Sequence, residues 1–423
     1  MALALEEGSV WLDGRLRKSD VYLDEKVSGT ARGKEIVDCA GKWILPGLID
    51  CHVHFRVPGA EHKEDWKTGS LAACHGGITT VMDMPNTNPP TTTINALEQK
   101  TAIAQKDSVV RFALHFGASN DNISEAESAK GIRSIKMYMG SSTGNLLVES
   151  EAEWKKWFGL CARRNLVMVV HAEHEPRIKA NSEKFAHDSA RMHNKIRDSE
   201  VEETAVRNAI RIAEETGSRL HVAHLSSKAG LEAVREAKEG SGSITCEVCP
   251  HHLFLTENDI EKLGNFGKMN PPLRSKEDVK ALWKGLNDGT IDCVSTDHAP
   301  HTIQEKSQPY DKAPSGVPGV ETMLPLLLNA VREEKIELKT IMKACAENPA
   351  RIFGFNDRAR LEEGFLGDAV IVNPEKSWTI RGADLLSKCG WTPFEGISVK
   401  GRVEKTIVGG GIVFGGTKKP VVQ

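Results

Sequence analysis

The segment Leu48-Ile-Asp50-Cys-His52-Val-His54-Phe-Arg56 begins as an apolar β-strand and ends in polar side chains. Apolar runs of similar length follow near residues 78–83, 111–116, 133–138, 167–171, 219–224, 243–248 and 291–296. Helix-like stretches, for instance 199–216 and 276–286, separate most of these runs. Alternating strands and helices imply parallel pairing, and eight such units suit a closed (β/α)8 barrel. We therefore predict an α/β fold built on a distorted TIM-type (β/α)8 barrel.

An open, doubly wound sheet is the alternative arrangement of the same elements. It is disfavoured, because no glycine-rich dinucleotide fingerprint follows the first strand. The two ends of the chain have a different pattern, with short strands and turns at 9–14, 20–24, 35–38, 368–372, 397–401 and 405–409. Because chain termini commonly lie close together, we predict one small β-sandwich module formed by residues 1–47 and 358–423. The barrel is predicted over residues 48–357.

The bulk composition of the 423 residues excludes several classes of protein. A net charge of −3 provides no basic surface for nucleic acid or an anionic membrane. The apolar run Met323–Leu328 is too short to span a bilayer. The first residues lack the basic start and apolar run of a secretory signal, and the nine cysteines follow no disulfide framework. We expect a cytoplasmic protein with reduced thiols.

Residues that can bind a metal lie where several predicted strands end. They are His52, His54, His171, His224 and Asp297. Barrel enzymes carry their chemistry at the C-terminal ends of the strands. His52 and His54 are two residues apart, so both side chains face the same side of their strand. For this pair alone, two hydrogen-bonded loop histidines would be an equal alternative. Imidazole and carboxylate together suit zinc and similar ions, so the whole set predicts a metal site at the barrel mouth.

Lys136 lies between the apolar residues Ile135 and Met137 of the fourth predicted strand. Strand alternation points its side chain into the barrel, where an unpaired ammonium is costly. One interpretation is a structural salt bridge with Asp297 or another carboxylate, and the residues alone favour it. The other is a reaction with carbon dioxide to give an anionic carbamate, which could bridge two metal ions. The pattern leaves both open.

Several motifs in combination resemble the dihydroorotase family of the amidohydrolase superfamily. They are Leu45-Pro-Gly with Asp50-Cys-His52-Val-His54-Phe-Arg56, Met84-Pro-Asn86-Thr-Asn-Pro89, Cys246-Glu-Val-Cys249-Pro-His-His, Ser295-Thr-Asp297-His-Ala-Pro-His301 and Gly319-Val-Glu-Thr-Met. The resemblance extends over about residues 10–410. It implies the same barrel and a site that contains two zinc ions.

The resemblance also implies a role for each metal-site residue. His52, His54 and Asp297 would hold the first zinc ion, and His171 and His224 the second. Lys136, as N6-carboxylysine, would bridge the two ions, since the segment Ile135-Lys-Met-Tyr-Met-Gly is similar to the lysine type of the family rather than to members that use an aspartate bridge. Asp297 would also act as the general base and then the general acid.

The substrate side follows from the same resemblance. Arg56, Asn86 and His301 would bind the substrate carboxylate, whereas Asn270, Pro318 and Gly319 would meet the ring. Arginine presents a fixed fork that matches a carboxylate, and dihydroorotate has this group while hydantoin, dihydropyrimidine and allantoin lack it. On the residues alone, Arg56 could instead be a surface charge and Asn86 a turn residue.

The activity implied is the reversible cyclisation of N-carbamoyl-L-aspartate to L-dihydroorotate in pyrimidine biosynthesis. The alternatives are another cyclic amidase, such as a hydantoinase, dihydropyrimidinase or allantoinase, and a non-catalytic relative, which should have lost metal ligands. The implied partner is a small-molecule substrate. A homodimer and an association with aspartate transcarbamoylase are candidate assemblies.

Two further motifs have alternative interpretations. The small polar segment Gly140–Asn145 is predicted to be a mobile lid over the barrel mouth. Cys246-x-x-Cys249, followed by His251 and His252, could form a separate zinc site. The same stretch fits the seventh strand of the barrel, which we consider the better interpretation.

Overall fold

The computed structural model of the chain describes residues 2–30, 35–142, 144, 146–240 and 242–415. Parallel strands form the centre of the molecule. They are β8 (Leu48–Val53), β9 (Ile78–Asp83), β10 (Arg111–Leu114), β11 (Phe116–Gly117), β12 (Ser134–Tyr138), β13 (Val167–His171), β14 (Arg219–Val222), β15 (Ile244–Val248) and β16 (Cys293–Val294). Their positions match the eight runs predicted from the sequence, with β10 and β11 as two halves of the third run.

Two parallel sheets join to close the barrel. One has the order β10-β9-β8, and the other runs from β11 through β12, β13, β14 and β15 to β16. On one side, only His115 separates β10 from β11, and its N–H donates to Asp83 O at 3.0 Å. On the other side, the His54 N–H donates to His298 O at 2.8 Å, and Val53 and His298 form a parallel bridge. The prediction of a distorted (β/α)8 barrel is confirmed, and the open sheet is not formed.

Helices follow most barrel strands. The α-helices are α1 (Trp66–His75), α2 (Ile94–Asp107), α3 (Ile123–Ser128), α4 (Glu151–Arg164), α5 (Glu175–Lys184), α6 (Ala190–Ile196), α7 (Ser199–Thr216), α8 (Lys228–Gly240), α9 (Pro250–Phe254), α10 (Ile260–Leu263), α11 (Lys276–Asn287), α12 (Ile303–Lys306), α13 (Met323–Arg332), α14 (Leu338–Met342) and α15 (Asn348–Ile352). Short 3-10 turns lie at 257–259, 264–267 and 382–384, and a π turn lies at 343–347.

Capping residues explain where the two helices predicted from the sequence begin. The Asp198 side chain accepts a hydrogen bond from Val201 N and starts α7, and Ser275 with Asp278 forms a capping box at the start of α11. The apolar run Met323–Leu328 is the buried part of α13. In the part of the chain that the structure describes, no helix has the length and apolarity that crossing a membrane requires.

Strands from both ends of the chain form two further sheets. Their members are β1 (Leu3–Glu6), β2 (Ser9–Leu12), β3 (Arg15–Lys18), β4 (Val21–Leu23), β5 (Val27–Ser28), β6 (Glu35–Asp38), β7 (Trp43–Pro46), β17 (Ala369–Thr379), β18 (Ser398–Val408) and β19 (Gly411–Phe414). One sheet has the order β5-β4-β1-β6, and the other β19-β18-β17-β7-β2-β3. Leu3 and Leu23 of the first sheet pack with Ile44 and Ile371 of the second in one buried cluster. The domain limits proposed above, which include residues outside the described ranges, stay a prediction.

One expectation about the C-terminal strands was wrong. Residues 397–401 and 405–409 belong mainly to a single strand, β18, rather than to two. Gly401, which has φ of 108°, lies inside this strand, at the end of the first of the two segments that were predicted as separate strands. A glycine tolerates this backbone conformation, so the strand bends there and continues.

A fully buried ion pair ties the barrel wall to the loop that carries Asn86. Lys100 of α2 lies with its Nζ 2.5 Å from Asp83 Oδ2, and both side chains are 0% exposed. Asp83 Oδ1 accepts a hydrogen bond from Phe55 N at 2.6 Å, and Lys100 Nζ donates to Met84 O at 2.7 Å. The pair therefore connects the ends of β8 and β9, both of which lead into the cavity.

Replacing Lys100 by Met should lower the free energy of unfolding by about 3–5 kcal/mol, because it leaves the Asp83 carboxylate buried without a countercharge. Lys106→Met, at an exposed position of the same helix, should change this energy by less than about 0.5 kcal/mol. Urea unfolding of both variants measures the difference. A cost below about 1 kcal/mol for Lys100→Met would show that the pair does not stabilise the barrel.

Candidate metal centre

The residues predicted to bind metal converge on one cavity at the C-terminal ends of the barrel strands. His52 and His54 come from β8 and the residues after it, Lys136 from β12, and His171 from β13; His224 and Asp297 follow β14 and β16. All six line an open cavity of about 370 Å³, together with Arg56, Asn86, Tyr138, Ser142, Asn270, Ala299, Ser315 and Gly316.

Short distances divide the ligand-type side chains into two adjoining groups. In the first, Asp297 Oδ1 lies 2.9 Å from His54 Nε2 and 3.2 Å from His52 Nε2. In the second, His171 Nδ1 lies 2.9 Å from His224 Nε2. The ligand atoms of His52, His224 and Asp297 all lie within 4.8 Å of one another, so the two groups share one space.

Three cavity residues have a backbone conformation that is unusual for residues other than glycine. The φ angles are 67° at Arg56, 36° at His224 and 45° at Asp297. Residues held in this left-handed region cost of order 1–3 kcal/mol each and concentrate at functional sites. The fold therefore carries strain at the points where it presents a cation and two ligand-type side chains to the cavity.

Hydrogen-bond acceptors fix the ring orientation of three of the histidines; Glu247 and Glu173 lie behind the cavity, and Asn86 lies in its wall. His52 Nδ1 lies 2.5 Å from Glu247 Oε1, and His171 Nε2 lies 2.8 Å from Glu173 Oε2. His54 Nδ1 lies 2.8 Å from Asn86 Oδ1. Each acceptor takes the N–H of its imidazole and leaves the other ring nitrogen, with its lone pair, turned to the cavity.

Glu173 and Glu247 were not predicted from the sequence, although both are buried. Glu173 lies two residues after His171, and this spacing could have indicated that the two side chains are neighbours. Glu247 lies in the interior of β15, where a carboxylate between apolar neighbours is itself unusual. Its oxygens also accept hydrogen bonds from His221 Nε2 at 3.2 Å and from the backbone N–H of His224 at 3.1 Å.

The electrostatics of the cavity favour neutral imidazoles. Burial lowers the pKa of His52 and His171, and it holds the pKa values of His54 and His224 well below the ordinary range. Neutral histidines keep the lone pair that a metal needs. Burial also raises the pKa of Asp297, against the effect of His52 and Lys136.

Lys136 forms no salt bridge with any of the residues that the structure describes. Its side chain is 0% exposed, and among the described residues its Nζ has no hydrogen-bond partner. The salt bridge to Asp297 that the sequence favoured is therefore not formed. Burial lowers the pKa of the Lys136 amine to about 8. Four imidazoles and a carboxylate fit divalent metal ions, so these residues form a candidate metal-binding group with the Lys136 amine beside them.

Arg56 is the cation that faces the cavity beside this group. Its side chain is buried rather than a surface charge. Its Nε donates to Pro300 O at 3.2 Å, and its Nη2 lies 3.1 Å from His301 Nε2. Among the described residues, no carboxylate forms an ion pair with Arg56. The guanidinium is therefore available to an anionic group of a ligand.

The other predicted substrate residues occupy different places. Asn86 and Asn270 line the cavity, and the oxygen of Asn86 holds His54. His301 lies behind Arg56. Pro318 and Gly319 are not among the lining residues, and the Gly319 N–H donates to His298 Nδ1 at 3.1 Å. The substrate contacts of these last two residues stay a prediction, while Ser315 and Gly316 of the same loop do face the cavity.

The remaining motifs are settled only in part. The predicted lid contributes Ser142 to the cavity wall, but Thr143 and Asn145 lie outside the described residues. Cys249, His251 and His252 are buried with their ligand atoms within 4.8 Å of one another. Cys246 is not part of that cluster, and its Sγ points to Thr290 O at 3.6 Å. The two cysteines therefore do not share a site.

Comparisons with known proteins agree with this geometry. The family model described as "Amidohydrolase family" matches residues 43–413. A protein named dihydroorotase from Halobacterium salinarum is 41% identical over 394 residues, which cover 92% of this chain and 91% of the relative. A protein from Squalus acanthias named multifunctional protein CAD is 38% identical over 377 residues, or 88% of this chain and 15% of that protein.

Among solved structures, the L-hydantoinase (dihydropyrimidinase) from Arthrobacter aurescens superimposes with a TM-score of 0.95 at 28% identity, covering 100% of this chain and 97% of that one. With a family match over most of its length and the histidine-rich cavity of a barrel enzyme, this chain belongs to the amidohydrolase family.

Proposed function

We propose that the protein is a dihydroorotase, which interconverts N-carbamoyl-L-aspartate and L-dihydroorotate. The observation that carries this proposal is the Arg56 guanidinium, which is buried in the same cavity as the metal-type ligands and has no carboxylate partner among the described residues. A substrate carboxylate would satisfy it. The relative from Halobacterium salinarum, which is 41% identical over nearly the whole chain, supports the same activity.

We also propose that the site holds two zinc ions. His52, His54 and Asp297 would bind one ion, and His171 and His224 the other. Bound zinc ions supply Lewis-acid chemistry that polarises an amide carbonyl and activates water. The neutral amine of Lys136 would add to carbon dioxide, lose one proton and become a carbamate, which supplies an anionic ligand to both ions. Lys136 Nζ is buried and has no hydrogen-bond partner among the described residues. This supports the modification, because a buried ammonium without such partners is costly.

The chain's own residues would then position the substrate and move the proton. Arg56, whose Nε donates to Pro300 O, holds the carboxylate together with Asn86 and His301 and so fixes the position of the ring in the cavity. Asp297 accepts a proton from the attacking water and delivers it to the leaving ring nitrogen, acting first as base and then as acid. In the synthetic direction, the same proton transfers in reverse order close the ring.

The alternative is another cyclic amidase, and the L-hydantoinase similarity favours it at the level of the fold. Hydantoin and dihydropyrimidines have no carboxylate, so they would leave the Arg56 guanidinium without a partner. We therefore favour dihydroorotate. The non-catalytic alternative has no support from the site, since each predicted ligand lies in the cavity.

Association with aspartate transcarbamoylase and formation of a homodimer belong to the proposal as well. The Squalus acanthias relative, whose printed name describes a multifunctional protein, supports a link with further enzymes. Light scattering of the chain alone and mixed with aspartate transcarbamoylase distinguishes a monomer, a homodimer and a mixed complex.

Replacing Asp297 by Asn should lower kcat for dihydroorotate by at least about 100-fold, because the proton carrier is lost. The amide oxygen can still face the histidines, so metal content should stay close to that of the unchanged protein. Asp311→Asn, at an exposed position, is the matched control and should keep full activity. Steady-state kinetics and elemental analysis test the assignment. Unchanged kcat for Asp297→Asn would contradict it.

Replacing Arg56 by Met should lower kcat/KM for dihydroorotate about 10- to 100-fold, the loss expected for charge-assisted hydrogen bonds. Dihydrouracil, which lacks the carboxylate, should be opened with little change in rate. Assays of both substrates with one preparation provide their own control. Equal losses for the two substrates would mean that Arg56 does not recognise the carboxylate.

Lys136 carboxylation predicts a measurable change in mass. Native mass spectrometry should find the protein heavier by one carbon dioxide, and ¹³C-bicarbonate should label it. Lys136→Ala should lack both the added mass and the label, whereas Lys130→Ala, at an exposed position, should keep them. A fully active protein without the added carbon dioxide would overturn this part of the proposal.

A further inference from the structure

A second cavity opens beside the metal-type ligands and shares three residues with their cavity. It has a volume of about 990 Å³, and the shared residues are Ser142, Asn270 and Ser315. We call this second cavity the vestibule. His193 of α6 and Tyr310 contribute to its wall. Neither belongs to a motif of the sequence, and neither has been given a role above.

His193 connects Tyr310 to Asn270 through its two ring nitrogens. Its Nε2 lies 2.7 Å from Asn270 Oδ1 and 3.1 Å from Met269 O. Its Nδ1 lies 2.8 Å from the Tyr310 hydroxyl. The main-chain oxygen of Met269 can only accept, so the hydrogen belongs on Nε2, and Nδ1 accepts from the tyrosine. Burial lowers the pKa of His193 to about 3, which agrees with a ring that has a single N–H.

This hydrogen bond decides which end of the Asn270 amide faces the cavity. An asparagine oxygen and nitrogen are interchangeable in shape, so only their partners set the orientation. Because the His193 N–H faces Asn270 Oδ1, the amide nitrogen points the other way, towards Ser142 Oγ at 3.4 Å. Asn270 therefore presents N–H donors, rather than an oxygen acceptor, at the cavity.

A donor at this place selects a carbonyl acceptor on the ligand. Cyclic ureides have one carbonyl at the bond that opens and another that stays intact. N-carbamoyl-aspartate retains the second one as its ureido oxygen. A reversed Asn270 amide would place its oxygen against such a carbonyl, and two acceptors in contact repel each other.

We propose that His193, oriented by Tyr310, is a positioning residue that holds the Asn270 amide with its N–H donors towards the ureido carbonyl of the substrate. The inference rests on the proposed function in that it assumes a cyclic ureide in the cavity. It does not depend on the carboxylate, because hydantoin and dihydrouracil contain the same carbonyl.

A double-mutant cycle tests the inference. His193→Phe keeps a ring but removes both nitrogens, and Asn270→Ala removes the amide. Each should lower kcat/KM about 10-fold, as expected for one hydrogen bond. If His193 acts through Asn270, the double variant should be no worse than Asn270→Ala alone. Independent effects that multiply to about 100-fold would overturn the proposal.

Tyr310→Phe is a second variant that preserves the shape of the wall. It removes only the hydroxyl that orients His193 and should lower kcat/KM about 2- to 10-fold, with the loss again absent in the Asn270→Ala background. His187→Phe, at an exposed position of the vestibule wall, should change nothing. Metal content should be equal in all variants. A Tyr310→Phe protein with unchanged activity would contradict the proposal that Tyr310 orients His193.

The substrate panel separates this inference from the proposed function. If the unchanged protein opens dihydrouracil or hydantoin but not dihydroorotate, the carboxylate assignment fails, and the same ratios measured on the active substrate still decide the role of His193. Calorimetry measures the Kd of N-carbamoyl-aspartate for each variant, and these values complete the same double-mutant cycle without catalysis. An unchanged Kd for His193→Phe, together with unchanged kcat/KM, would contradict the positioning role.

Discussion

Polar groups that are buried at the mouth of the barrel must each find a partner, and this requirement organises the site. Glu247 accepts from His52, His221 and the backbone of His224, while Glu173 accepts from His171 and pairs with Arg197. The bonds to His52 and His171 leave the other nitrogen of each ring turned towards one small volume. Among the described side chains that line the cavity, Lys136 Nζ, the Tyr138 hydroxyl and His224 Nδ1 have no hydrogen-bond partner. The pair of cations with an anionic bridge that we propose would fit this arrangement.

The substrate side of the cavity obeys the same rule with opposite charge. The Arg56 Nε donates to Pro300 O, and among the described residues no carboxylate forms an ion pair with its guanidinium, which lines the cavity. Asn270 is held from behind by His193, so its donors are aimed there as well. A ligand with one carboxylate and a ring carbonyl satisfies both. The proposed metal ligands and substrate donors are thus positioned by hydrogen bonds to neighbouring residues, which keeps the inner surface of the cavity free for a ligand.

The sequence predicts the barrel correctly, and the residues it proposes as metal ligands line one cavity, because strand period, strand ends and histidine spacing are local properties. It fails where a residue's role depends on a distant partner. Glu247 is unusual in its apolar strand but has no partner nearby in the chain, and His193 belongs to no motif; only the fold brings them next to His52 and Asn270. The residues around Gly401 were predicted as two short strands, because a glycine in the sequence can mark either a turn or a position inside a continuous strand. For Lys136, the residues alone favoured a salt bridge, since buried lysines are usually paired when charged, yet no carboxylate of the described residues forms an ion pair with it.

We propose that the cavity works by holding metal ions. A titration with metal, in which activity is measured at each step, tests this proposal. The protein is freed of metal by a chelator, zinc is added back in known amounts, and the rate of dihydroorotate opening is followed at each step. The account predicts no activity at the start and a rise that saturates near about two equivalents per chain, as in two-metal sites. Full activity in the metal-free protein would contradict it.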